Sequence, residues 1–145
     1  MALHLIKLCV GCDSIGDLRE WVTERSLVAM AAGHQPHSSH TTRMTPKRMA
    51  DLLDGGSLYW VIKGQLCARQ PLLDLVEFTD TDGIGRCKLI LAPQVIETMP
   101  QPKRPFQGWR YLETKDAPRD LFDAGQSEQD MPAELKRELA ELGLL

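Results

Sequence analysis

Aromatic and basic side chains lie next to each other on two predicted strands, and this combination is typical of a pocket that binds a nucleic-acid base. Tyr59 and Trp60 lie on one strand, and Trp109 and Tyr111 lie on the other. Aromatic rings stack on bases, and nearby cationic groups bind phosphate. The alternative is that the rings fill a barrel core with arginines at its rim. The candidate ligand-binding residues are Arg43, Lys47, Arg48, Tyr59, Trp60, Lys63, Arg69, Gln107, Trp109, Arg110 and Tyr111.

Three of these candidates surround the predicted start of a short helix over residues 46–53. Arg43 precedes this start, and Lys47 and Arg48 follow it. We expect Thr45 to cap the helix and Pro46 to occupy its first turn. Because a helix N-terminus attracts anions, the three cations would hold a phosphate there. The alternative is an ordinary solvated helix start.

The triplet Trp109-Arg110-Tyr111 indicates which candidates share a face. In a strand, side chains alternate, so Trp109 and Tyr111 lie on one face and Arg110 lies on the other. One face carries two aromatic rings and the other carries an arginine. Either one of these faces is in an energetically unfavourable environment, or the segment is an edge strand. Alternatively, Arg110 pairs with an acidic residue near the C-terminus.

A C-x-x-C motif and nearby histidines suggest a metal site. Cys9, Cys12, His37 and His40 would supply two sulfur and two nitrogen ligands for tetrahedral zinc. The alternative is a buried Cys9 at the end of a strand and Cys12 in the turn before a helix. A redox function for the C-x-x-C is less well supported, because the βαβ pattern of thioredoxin-like proteins does not follow.

Catalytic motifs are missing from the sequence. It contains no G-x-S-x-G, H-E-x-x-H or P-loop pattern. Ser57 or Thr45 with His40, or a carboxylate such as Glu77 or Asp74, are the available combinations for a hydrolase. We therefore predict no catalytic residue and no obligatory cofactor, and favour a binding module.

Length and composition indicate one soluble globular domain over residues 1–145. Apolar residues make up 43% of the 145, charged residues make up 26%, and the net charge is −3. No run reaches the roughly 18 apolar residues of a membrane span. The apolar N-terminus is short and interrupted by Lys7, which argues against a signal peptide. We expect a cytoplasmic protein without a membrane partner.

Charge is unevenly distributed along the chain. Residues 40–72 hold five basic and two acidic residues, and residues 103–110 hold three basic and none acidic. Residues 113–145 hold four basic and nine acidic residues. Asymmetry of this kind can mark a site for an anionic ligand or nucleic acid, but an ordinary mixed surface is the simpler explanation.

The periodicity of apolar residues and the turn residues predict an α+β fold with an antiparallel, barrel-like sheet. A β-meander lies between helices, with a bulge or edge position at Pro71. Residues 116–131 form an irregular segment. The predicted strands cover residues 3–10, 41–44, 57–63, 65–78, 86–91, 95–98 and 106–112, and the predicted helices cover residues 14–32, 46–53 and 132–142.

Several motifs resemble one family along nearly the whole chain. They are MALHLIKLCV at residues 1–10, TRMTPKR at 42–48, GGSLYWVIKG at 55–64, Arg69-Gln70, and FQGWRYL at 106–112. These segments resemble domain-of-unknown-function family 1489, whose members are small proteins found mainly in alphaproteobacteria. The resemblance implies a bacterial cytoplasmic protein and implies no activity.

Residues 52–78 also resemble the PUA-like superfamily, especially EVE and ASCH domains. In those domains a helix leads into a glycine-started strand with aromatic residues, then a hairpin. This chain has Gly56-Ser57 where EVE domains have Gly-Asp, and Val61 or Ile62 where they have a serine. The resemblance implies binding of RNA or a modified base in a cleft beside a barrel.

Three functions are therefore open. The first is a PUA-like module that binds RNA, a modified base or a nucleotide. The second is a small enzyme acting on a nucleoside-like substrate in the same cleft. The third is an interaction module using the acidic C-terminal helix, with Leu135, Leu139 and Leu142 on one face.

Overall fold

A mixed seven-stranded sheet with two helices organises the part of the chain that the computed structural model describes, residues 3–121. The α+β prediction is therefore confirmed. The strands are β1 (Leu3–Leu8), β2 (Ser38–Thr42), β3 (Ser57–Ile62), β4 (Gln65–Thr79), β5 (Gly85–Leu91), β6 (Ile96–Pro102) and β7 (Trp109–Glu113). The helices are α1 (Ile15–Ala31) and α2 (Met49–Leu53), and a 3₁₀ turn covers Thr114–Asp116.

The sheet is open, with the strand order β2-β5-β4-β3-β1-β7 and with β6 paired to β4. The predicted meander is present as β3-β4-β5. The prediction of a wholly antiparallel, barrel-like sheet is wrong. β1 and β3 are parallel, because α1, β2 and α2 intervene before the chain returns to lie beside β1.

The two faces of the sheet bury different clusters. One face packs against the helices, where Leu18 and Val22 of α1 and Leu52 of α2 join the main core. The other face buries a smaller cluster that includes Ile6 and Leu112. Alternation along β1 and β3 sends successive side chains to these two clusters, so each strand contributes to both.

α1 begins and ends close to where its sequence signals predict. The Ser14 hydroxyl accepts a hydrogen bond from the Asp17 amide at 3.1 Å and so caps the first turn. The predicted start of α2 is wrong. The helix begins at Met49, its N-cap is Arg48, and the Thr45 side chain does not cap it.

The strand boundaries differ most from the predicted ones in three places. β2 begins at residue 38 rather than 41, and β7 begins at residue 109 rather than 106. β6 extends through Pro100 to Pro102, where a loop was expected. These prolines are tolerated because the segment on the other edge of β6 pairs only with residues 97–99, before Pro100, so no pairing among the described residues on that edge needs their missing amides.

The bulge in β4 and the turn between β3 and β4 lie close to where the sequence predicts them. Pro71 pairs with Ser57, and the expected bulge falls between Leu72 and Asp74. The hairpin between β3 and β4 turns on Lys63 and Gly64, both with positive φ (49° and 76°). Positive φ at both central positions is the geometry of a two-residue hairpin turn.

The C-terminal helix predicted over residues 132–142 lies outside the described residues, together with most of the irregular segment over 116–131. Within residues 3–121, neither helix is long and apolar enough to cross a membrane.

Candidate functional site

A basic cavity of about 550 Å³ lies beside β7, on the sheet face that carries the smaller cluster. Its walls combine cationic, aromatic and apolar groups. The lining residues are Ile6, Pro102, Lys103, Arg104, Pro105, Phe106, Arg110, Tyr111 and Leu112. We call this space the β7 cavity.

The loop from β6 to β7 builds one wall of the β7 cavity. The Lys103 amide donates a hydrogen bond to the Gly64 carbonyl at 2.9 Å, which ties the loop to the β3–β4 turn. Phe106 packs on the smaller cluster, and Arg110 lies on the same face of β7 as Leu112. The Arg110 guanidinium stands 5.2 Å from the Phe106 ring centroid, a cation–π contact that holds the side chain at the cavity.

Positive charge dominates the β7 cavity. Lys103, Arg104 and Arg110 line it, and none of its lining residues from the described part of the chain is acidic. Among residues 3–121, the side chains that form ion pairs with carboxylates do not include these three. The suggested pairing of Arg110 with an acidic residue therefore does not occur within the described residues. The cavity presents three cations to an incoming anion.

Trp109 and Tyr111 lie on the other face of β7, as alternation predicts, although Tyr111 also borders the β7 cavity. Their rings meet edge to face, with centroids 5.0 Å apart. The Trp109 indole donates to the Met44 carbonyl at 2.8 Å. The Tyr111 hydroxyl accepts hydrogen bonds from the Lys47 and Arg48 amides at 2.9 and 3.3 Å. Both rings therefore fasten residues 44–48 across β7.

These hydrogen bonds explain why α2 starts late. The Lys47 and Arg48 amides donate to the Tyr111 hydroxyl on β7. They are therefore not the free amides of a first helical turn. The predicted phosphate site at a helix N-terminus is therefore not formed. Arg43, Lys47 and Arg48 are exposed cations on an irregular segment, and Arg48 is paired with Asp51 at 3.0 Å.

Trp60 and Tyr59 do not line an open cleft. Trp60 is 1% exposed and lies in the main core, where its indole donates to the Gln70 side chain at 2.9 Å. Tyr59 is 5% exposed on the opposite face, against the His4 ring at 5.1 Å, and burial raises its pKa. For both residues the core alternative is correct, because β3 is the centre of the described sheet and is covered on both faces.

Arg69 belongs to a structural network rather than to the β7 cavity. Its guanidinium makes two hydrogen bonds of 2.8 Å to the Asp120 carboxylate and one of 2.8 Å to the Ser57 hydroxyl. The bidentate bond and the nearby charge of Asp120 raise the Arg69 pKa. The pair holds the chain around residue 120 against β4. Sequence reasoning missed Asp120, because it follows the last strand in a polar segment without periodicity.

Lys63 and Gln107 lie near the β7 cavity but do not line it. Lys63 is an exposed turn residue that reaches Asp13 at 4.0 Å, a distance at which an exposed pair contributes little. Gln107 is exposed in the bend before β7. The cavity-lining cations that sequence reasoning left out of its candidates are Lys103 and Arg104. The signal for them was the run of three basic and no acidic residues over 103–110.

The zinc hypothesis for Cys9, Cys12, His37 and His40 is not supported by the geometry. Among residues 3–121, no three His, Cys, Asp or Glu side chains are grouped so as to hold a metal ion. Burial, followed by the neighbouring Cys12 thiol, raises the pKa of Cys9, so this thiol is protonated at neutral pH. His37 donates from Nδ1 to the Gln35 carbonyl at 2.8 Å, which fixes the ring by a local turn.

His40 is a packing residue between α1 and β3. Its ring meets Trp60 at 5.5 Å and Trp21 at 6.5 Å, both edge to face. Burial, followed by the charges of Lys7 and Arg25, lowers the pKa of His40 to about 4. The ring is therefore neutral in the folded chain at neutral pH.

This lowered pKa predicts a loss of stability in mild acid. Unfolded His40 binds a proton near pH 6.5 and the folded chain does not until about pH 4. The stability that the neutral His40 ring contributes is complete above pH 6.5 and is lost as the pH falls toward 4. Allowing for partial exposure, we expect the free energy of unfolding to fall by about 2 kcal/mol. Urea unfolding at pH 7 and pH 5 measures this fall in the free energy of unfolding. If His40→Gln showed the same pH dependence as the wild type, the assignment to His40 would be wrong.

No hydrolase arrangement is formed by the side chains that the sequence offered. Ser57 is fully buried, its hydroxyl accepts from Arg69, and its amide donates to His4 Nδ1 at 3.0 Å. His4 Nδ1 is therefore an acceptor and lies on the Ser57 amide rather than on its hydroxyl. His40 packs against Trp60 and not against Ser57. Neither histidine therefore takes the proton of the Ser57 hydroxyl.

The fold and the β7 cavity define an α+β protein with an open mixed sheet and a cationic, aromatic cavity at its edge strand. The model of the family described as a protein of unknown function (DUF1489) matches residues 5–145. The chain belongs to this family, as its motifs predicted. No curated protein and no solved structure matches it.

Proposed function

We propose that this protein is a binding module for a phosphate-bearing ligand of the nucleotide class, held in the β7 cavity. The observation that carries the proposal is the grouping of Lys103, Arg104 and Arg110 around a space that no acidic residue among residues 3–121 lines. Within residues 3–121 these cations have no carboxylate partner, so a phosphate that binds there breaks no ion pair among the described residues.

The ring contacts support a base as the second part of the ligand. The Arg110 guanidinium makes a cation–π contact with the Phe106 ring at 5.2 Å, and a guanidinium plane accepts a base on its face. A space of about 550 Å³ is within the ordinary range for small-molecule sites. The apolar wall that Pro102, Pro105 and Phe106 expose suits the ring of a base rather than a free inorganic anion.

Finer descriptions of this function stay predictions. A PUA-like fold would make RNA or a modified base the expected ligand, but the sheet is open rather than a closed barrel. An enzyme acting on a nucleoside-like substrate in the same cavity is the second class of function, and no arrangement among the described residues favours it. The interaction module and the cytoplasmic location likewise stay predictions.

Loss of a cavity cation is expected to weaken nucleotide binding. Arg110→Gln removes one charge-assisted contact, so we expect the affinity for adenosine monophosphate to fall about tenfold. Titration followed by backbone amide resonances measures the affinity and shows whether the shifts occur at residues 103–112.

Lys88→Gln is the matched control, because Lys88 is an exposed cation on β5, away from the β7 cavity. Its affinity should equal that of the wild type. Equal losses in both variants, or no saturable shifts with the wild type, would refute the proposal.

A further inference from the structure

The edge strand β7 has cations on both of its faces, and the β7 cavity uses those of one face only. Arg110 points into the cavity with Phe106, whereas Trp109 and Tyr111 hold residues 44–48 against the other face. Lys47 is exposed in this segment, and Arg43, directly before Met44, is exposed as well. We call Arg43 and Lys47 the second basic group.

Hydrogen bonds to β7 fix the position of this second basic group. The Lys47 amide is held on the Tyr111 hydroxyl, and the Met44 carbonyl is held on the Trp109 indole. Its two backbone anchors therefore come from the same strand that carries Arg110. Arg48, the third cation of this segment, is already paired with Asp51, but within residues 3–121 Arg43 and Lys47 form no ion pair.

We propose, on the basis of the function proposed above, that the ligand is a single-stranded polynucleotide that crosses the edge of β7 from the β7 cavity to the second basic group. A mononucleotide has one phosphate group, which the cavity cations neutralise. Cations on the opposite face of the strand are reached only by further phosphates along a chain. β7 has five residues and extends about 16 Å, so there is room beside it for several nucleotides.

Single strands fit this arrangement better than a duplex does. The cavity receives a base on the Arg110 and Phe106 side, and bases are accessible for stacking when they are not paired. β7 is also the last strand in the described order of the sheet, so no described strand covers its outer edge.

The test compares adenosine monophosphate with a single-stranded octamer of adenylate RNA, using Lys47→Gln. We expect this variant to bind the octamer roughly fivefold more weakly and to bind adenosine monophosphate as the wild type does. The slope of log affinity against log salt for the octamer should become shallower by about 0.7 for each phosphate that the variant no longer neutralises. Lys88→Gln is the control of equal charge change and should alter neither affinity.

The outcomes separate this inference from the function on which it rests. If Arg110→Gln weakens both ligands but Lys47→Gln weakens neither, the crossing path is wrong and the cavity function stands. If neither ligand binds to the wild type, the cavity function itself fails. Tighter binding of an RNA duplex of the same length than of the single strand would also overturn the inference.

Discussion

Replacing Gly56 with alanine is expected to prevent the chain from folding stably. Gly56 follows α2 and leads into β3, and a Cβ atom there would lie 2.2 Å from the carbonyl oxygens of both Leu3 and Leu52. Both atoms are backbone, so neither can rotate away. Relief requires α2 to move off β1, which disrupts the core around Leu52.

We expect Gly56→Ala to cost more than about 4 kcal/mol of the free energy of unfolding, a large share of the stability of a domain of this size. Urea unfolding followed by circular dichroism measures the loss. Gly85→Ala is the control, because a Cβ there meets nothing within 4 Å. A Gly56→Ala protein with the wild-type unfolding midpoint would show that α2 does not pack on β1 as described.

The second large effect is expected at Gln70, which is 1% exposed and links three parts of the core. Its oxygen accepts from the Trp60 indole at 2.9 Å. Its amide nitrogen donates to the Ser38 hydroxyl at 3.1 Å and to the Ala92 carbonyl at 2.9 Å. The side chain thereby satisfies buried polar groups on β3, on β2 and after β5.

Gln70→Leu leaves the Trp60 indole and the Ala92 carbonyl buried without partners. Each such group costs about 1–3 kcal/mol, so we expect the free energy of unfolding to fall by about 3 kcal/mol. The exposed Gln65 on the same strand provides the control variant Gln65→Leu, which should change stability by less than about 0.5 kcal/mol. Faster hydrogen exchange at the Trp60 indole should accompany the loss, and equal effects in the two variants would contradict this assignment.

Local patterns predicted the elements that local contacts determine. Ser14 caps α1 because the cap and the amide that it binds are three residues apart. The faces of Trp109, Arg110 and Tyr111 follow from the alternation of any strand. Gly64 marks the β3–β4 hairpin turn because the conformation of a tight turn depends on the residues within it.

Features that depend on distant residues were not predictable in this way. The start of α2 is set by Tyr111, more than sixty residues farther along the chain. The parallel pairing of β1 with β3 depends on where the chain returns after α1, and Arg69 finds Asp120 across 51 residues. The composition of the candidate site also depends on residues that are far apart in the sequence. The sequence pointed to aromatic and basic residues, but it could not show that Tyr59 and Trp60 are buried or that Lys103 and Arg104 line the cavity with Arg110.

The central claim is that the β7 cavity recognises a phosphate group together with a base. The most direct measurement is the ratio of the affinities for adenosine monophosphate and adenosine, determined by calorimetric titration of the full chain and of Arg104→Gln. We expect the wild type to prefer the phosphorylated ligand by at least about tenfold, and Arg104→Gln to lose most of this preference. Equal affinities for the two ligands in the wild type, or the same preference in Arg104→Gln, would contradict the claim.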